Sequence, residues 1–125
     1  MPLINDYRKG WALRYLREAK AELTAAQKIP YMASSLILEA AKKAQVAVYY
    51  SLGDPASVEA IVYQTIVKKE SLGDPVLRCL VEIESMVQQI ATAPELDHEK
   101  ALEKADELIH LSTEIVKLFV GEKVD

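Results

Sequence analysis

The pentapeptide Ser-Leu-Gly-Asp-Pro occurs twice, at residues 51–55 and again at 71–75, and it restricts the fold more than any other stretch. In each copy Gly suits the left-handed conformation just past a helix end, Asp suits the N-cap, and Pro suits the first helical position, where its missing donor costs nothing. Each copy is therefore expected to end one helix and start the next. The residues that follow, "ASVEAIVYQT" and "VLRCLVEIES", share apolar character but little identity, so the copies read as corners rather than repeat units.

Helical periodicity fills the space between the corners. From Asp6 to about Lys28, Trp11, Tyr15, Ala19, Leu23 and Ala26 recur every three or four residues and define an apolar face, with Arg14, Arg17, Glu18 and Ala21 largely opposite. Ile29-Pro30 interrupts this pattern. The segment from about Tyr31 to Leu52 is apolar around most of its circumference, charged only at Glu39, Lys42 and Lys43, and is expected to be the central, most buried helix. A third helix is expected from Pro55 to about Glu70, and a fourth from Pro75 to about Ala91. A fifth follows "TAPELD", from about His98 to Val120, with Leu102, Ala105, Ile109, Ser112, Val116 and Phe119 along one face. Sustained period-two alternation between hairpin turns is absent. The pattern predicts an all-α fold, an antiparallel four- to five-helix bundle forming one domain over residues 1–125.

The chain has 125 residues, 50% apolar and 27% charged, enough to bury one core without disulfides or metals. A formal charge of -4 removes the broad attraction to nucleic acid expected of a basic domain. Cys79, the single cysteine, has no intrachain partner, which fits a reducing compartment. The stretch "MPLINDYRKG" lacks the apolar core of a signal peptide, and no run approaches the roughly 18 apolar residues of a membrane span. A soluble, cytoplasmic protein with no membrane partner is expected.

Catalytic and metal chemistry find little footing. Four glycines supply neither a phosphate loop nor a dinucleotide fingerprint. Glu95-Leu96-Asp97-His98 and Glu107-Leu108-Ile109-His110 both have the Glu-x-x-His spacing of di-metal bundles, but such sites take these pairs from two different helices, and both lie here in one segment. No metal, cofactor or catalytic set is expected, and His110 is placed toward solvent. Cys79, among Val76, Leu80, Ile83 and Val87, reads as a buried, inert thiol. Glu84 sits at the edge of that face, as a rim carboxylate or one that meets a partner.

The order of features resembles the HEPN (higher eukaryotes and prokaryotes nucleotide-binding) helical domains. The matching stretches are a first helix reading "YLREAKAELTAAQ", a polar gap with Tyr31, an Ala-rich second helix "SSLILEAAKKAQVAVYYSLGDP", and a terminal "ALEKADELIHLSTEIVKLF". The resemblance implies a compact bundle, commonly dimeric, often encoded beside a nucleotidyltransferase partner, and in active members a metal-independent ribonuclease. That activity uses an Arg and a following His with four to six residues between them, and none of Arg8, Arg14, Arg17 and Arg78 has a His at that distance. After Arg78 those positions are Ile83, Glu84 and Ser85, so the domain is read as noncatalytic.

Two functional expectations follow. The third helix carries one apolar face of Val58, Ile61, Val62, Thr65 and Ile66 and a second, roughly opposite, of Ala56, Ala60, Tyr63 and Val67. The second face suggests either a helix sandwiched within the core or a partner, most simply another copy of the chain in a homodimer. The alternative is nucleotide or RNA binding in the manner of HEPN proteins through Arg14, Arg17 and Lys20, the most basic stretch of an acidic chain, with Glu18 and Glu22 interleaved.

Overall fold

The structure, a computed structural model, describes residues 5–69, 73–92 and 98–121. These form α1 (Asp6–Lys28), a 3-10 turn (Pro30–Met32), α2 (Ala33–Leu52), α3 (Pro55–Lys68), α4 (Pro75–Thr92) and α5 (His98–Val120). No strand occurs among the described residues. The fold is the expected all-α helical bundle. No helix is long and apolar enough to cross a membrane among the described residues.

The central pair is α1 and α2, and alanine sets its geometry. The buried positions of α1 are Ala12, Leu16, Ala19, Leu23 and Ala26. In α2 they include Ala33, Ile37, Ala40, Ala44, Ala47 and Ser51. Both runs step by four and three, the spacing of a helix–helix seam. Every seventh residue is alanine, Ala12, Ala19 and Ala26 on one helix and Ala33, Ala40 and Ala47 on the other, so the backbones approach closely. The two helices run antiparallel, since Arg8 near the start of α1 donates to the Tyr50 carbonyl near the end of α2. Midway along the pair, Lys43 donates to Glu18 at 3.0 Å and to Glu22 at 2.5 Å.

The apolar face expected for α1 is displaced by one position. Trp11 and Tyr15 flank the seam half-buried, while Ala12 and Leu16 are fully buried in it. Rings this large cannot enter an alanine seam, so they turn to its rim. There Tyr50 stacks against both, with centroids 6.2 Å from Trp11 and 5.8 Å from Tyr15. Helix α5 covers the other side of the pair with Ala101, Ala105, Leu108, Ile109, Ser112 and Val116. Leu102 and Phe119, expected on that face, are only half-buried. Ser34 at the start of α2 meets His98 at the start of α5 at 3.0 Å, so these two helices run in the same direction.

The two Gly-Asp-Pro corners differ. In the first, Gly53 follows α2 directly, its N–H bonding back to the Tyr49 carbonyl, and Asp54 caps α3 by accepting from the Ser57 backbone N–H at 3.2 Å and its hydroxyl at 3.0 Å. The left-handed geometry expected at this glycine is not used: Gly53 has φ 176°, and a Cβ there would lie 3.4 Å from Val58. In the second, α3 stops earlier than expected, at Lys68, with Lys69 in the left-handed region at φ 52°. Asp74 still caps α4, accepting from the Val76 N–H at 2.9 Å, but Gly73 does not end α3, which stops at Lys68.

Candidate functional site

An open groove of about 630 Å³ runs between α2, α3 and α4. It exists because α3 touches only α2 and α4 among the described elements and rests on them along a narrow line, with only Val62 and Thr65 buried. One wall is the face of α3 singled out from the sequence, with Ala56, Ala60 and Tyr63, together with Glu59 and Ile66. The facing surfaces come from α2, with Lys42, Gln45, Val46 and Tyr49, and from α4, with Glu84, Val87 and Gln88.

All four residues of the expected interface, Ala56, Ala60, Tyr63 and Val67, are exposed, with Tyr63 at 68% and Val67 at 59%. Ile61 and Ile66, expected to pack inward, are 54% and 42% exposed. The narrow seat of α3 explains this departure: a helix held along Val58, Val62 and Thr65 leaves the residues on either side of that line in water.

The groove floor is polar and organised. Gln45, 8% exposed within an otherwise apolar helix, donates through Nε2 to the Tyr49 hydroxyl at 3.0 Å and to Glu84 Oε1 at 2.6 Å. Gln88 donates to the other Glu84 oxygen at 2.7 Å. Two amides thus fix the Glu84 carboxylate in orientation. Tyr49 is 3% exposed, and burial, reinforced by the negative charges of Glu84 and Glu59, pushes its phenol up to about 12. Its hydroxyl accepts from Gln45 but hands its own proton to no acceptor among the described residues. Of this floor, the sequence marked only Glu84, at the edge of an apolar face. The remaining signal was Gln45, an isolated amide inside "AAKKAQVAVYY", whose partners lie on another helix.

Arg14, Arg17 and Lys20 spread over about a third of the circumference of α1. Steps of three residues drift around a helix by about 60° each, so the three side chains fan out. Arg14 bonds Glu18 at 2.9 Å and lies 5.1 Å over the Trp11 ring. Arg17 is exposed. Lys20 lines a smaller groove between α1 and α5 with Asp106, His110 and Glu114. Glu18 and Glu22 turn toward Lys43, which also lies 3.4 Å from Glu39. Bonds from Lys43 and then Arg14 hold the Glu18 carboxyl below the usual range, burial raises that of Glu22, and the Glu22 and Glu18 carboxylates raise the Lys43 ammonium.

No group of three or more His, Cys, Asp or Glu side chains suited to a metal ion occurs among the described residues. His110 is 77% exposed and bonds only within its own helix turn, to the Asp106 carbonyl. Glu95 and Asp97 of the first Glu-x-x-His lie outside the described residues. Cys79 is half-buried rather than fully buried, lying to the side of the line formed by the buried Leu80, Ile83 and Val87. No family model, curated protein or solved structure matches the chain.

Proposed function

We propose that the chain is a noncatalytic helical interaction module that pairs with a second copy of itself through α3. The observation that carries this reading is the outer surface of that helix. Ile61, Tyr63, Ile66 and Val67 are four of the nine large apolar side chains most exposed among the described residues, concentrated on a helix of 14 residues. Only Glu59 and Lys68 bring charge to it. Tyr63, Ile66 and Val67 adjoin one another on the side of the helix that borders the groove, and an apolar surface of this kind is a protein contact more readily than a solvated face. Ala56, Ala60, Tyr63 and Val67 step by four, three and four, the spacing with which one helix meets another. A two-fold pair needs one such surface per copy, which makes self-association the simplest assembly.

Tyr63→Glu and Val67→Glu place charge on this surface without touching the buried Val62 and Thr65. Each is expected to yield a folded monomer by sedimentation velocity, with the helical signal of the parent retained. A folded dimer surviving both substitutions would overturn the placement of the interface.

A second reading, nucleotide or RNA binding in the HEPN manner, is favoured by one feature. Tyr7, Trp11, Tyr15 and Tyr50 gather at one end of the α1–α2 pair beside Arg8 and Arg14, combining rings and guanidinium groups as single-strand binders do. On this reading RNA affinity is salt-sensitive and falls when Arg14, Arg17 and Lys20 are reversed to Glu. Binding unchanged by that reversal would sink it.

A further inference from the structure

We propose that the groove between α2, α3 and α4 is the socket for Tyr63 of a second copy, whose phenol hydroxyl docks between Tyr49 and Glu84. This deepens the self-association reading and rests on it.

The α3 seam singles out the occupant. Pairing two copies of α3 antiparallel about a two-fold axis between Ile61 and Val62 sets Ala56 opposite the partner's Val67 and Ala60 opposite the partner's Tyr63. Each small residue then faces a large one, the alternation that lets facing helices interdigitate. A shift of one residue breaks this match and carries the seam off the contact. Because Ala60 forms part of the groove wall, the register brings the partner's Tyr63 ring to the groove mouth. The same operation carries Tyr63 of the first copy to the partner's groove, so both rings, 68% exposed in the single chain, leave water together.

The floor supplies matching chemistry. Tyr49, 97% removed from water, has an O–H proton with no acceptor among the described residues. Glu84 holds lone pairs beyond those taken by Gln45 and Gln88. The site therefore offers one donor and one strong acceptor beside an apolar slot of Val46, Ala60, Val62 and Val87, in a groove that Lys42 and Glu59 also line. A phenol fits both ends: its ring fills the slot, while its hydroxyl accepts from Tyr49 and donates to Glu84. A purely aliphatic insert would leave a buried donor and a carboxylate unmatched, which is the expensive outcome.

The decisive variant is Tyr63→Phe, which keeps the ring and deletes only the hydroxyl at a position exposed in the single chain. Dimer dissociation constants are measured by sedimentation equilibrium on the full chain, with thermal melts as the folding check. Tyr63→Phe is expected to weaken the dimer at least about 10-fold, because the bond is lost at two symmetric sites. Tyr49→Phe is expected to weaken it comparably, and the double variant no further than either single one. A wild-type constant for Tyr63→Phe, with Tyr63→Glu still monomeric, would overturn the docking and leave the α3 dimer standing. A parent protein that stays monomeric at high concentration would overturn both. A small molecule retained in native mass spectra and displaced by Tyr49→Phe would overturn the phenol as occupant.

Discussion

Lys43 donates to Glu18 and Glu22 across the α1–α2 seam and lies 3.4 Å from Glu39, so its removal leaves three carboxylates facing one another. Glu22 suffers most, because one of its oxygens is buried with no partner. Lys43→Met should therefore destabilise the fold by about 2 kcal/mol in urea unfolding at neutral pH. That is less than a fully buried pair would lose, since the two side chains keep 18% and 23% of their surface in water. Acid should reverse part of the loss. Burial already raises the Glu22 carboxyl in the parent, so the folded variant takes up a proton there before the unfolded chain does, and its deficit against the parent should shrink as pH falls. Tyr49 gives the alkaline counterpart. Its phenol is raised from 10 to about 12, so its contribution is complete below pH 10 and is lost between there and pH 12, where only the unfolded chain ionises. The loss is about 2–3 kcal/mol by the upper end of that window. Tyr49→Phe should flatten this part of the stability–pH curve.

Among the elements, the corners offer the cleanest comparison. Asp54 accepts two bonds from Ser57, one of them from a hydroxyl, whereas Asp74 accepts from the Val76 N–H at 2.9 Å and from the Leu77 N–H only at 3.4 Å. Asp54→Ala and Asp74→Ala should each cost about 1 kcal/mol, read as a shift in the thermal midpoint. Their effects should add, since the caps sit on different helices. Local chemistry of this kind was legible in the sequence: all five helices and both Asp caps follow from residue type and spacing. What the sequence concealed depends on which neighbour a helix finds. The rotation of α1 that buries Ala12 and leaves Trp11 at the rim is decided by the alanines of α2. The narrow seat of α3, which exposes Ile61 and Ile66, is decided by its having only α2 and α4, among the described elements, to lie on. Gln45 and Tyr49 are four residues apart on one helix, yet their significance comes from Glu84, 39 residues after Gln45.

At the scale of the molecule, stability is distributed unevenly. Ten buried residues hold α2 and two hold α3, so α3 can open without the α1–α2–α5 assembly giving way. Amide exchange should be slowest in α2 and fastest in the interior of α3 for the separated chain. On self-association, protection should rise chiefly in α3. The alanine seam has a thermal consequence as well. Of the 22 apolar core residues among the described residues, ten are alanine, so unfolding exposes less hydrocarbon than in a leucine-rich bundle of equal length. The heat-capacity increment should fall below the roughly 12–15 cal/mol/K per residue of ordinary domains. Such a chain has a broad, shallow stability curve, changing little between refrigerator and body temperature and resisting cold unfolding further into the supercooled range.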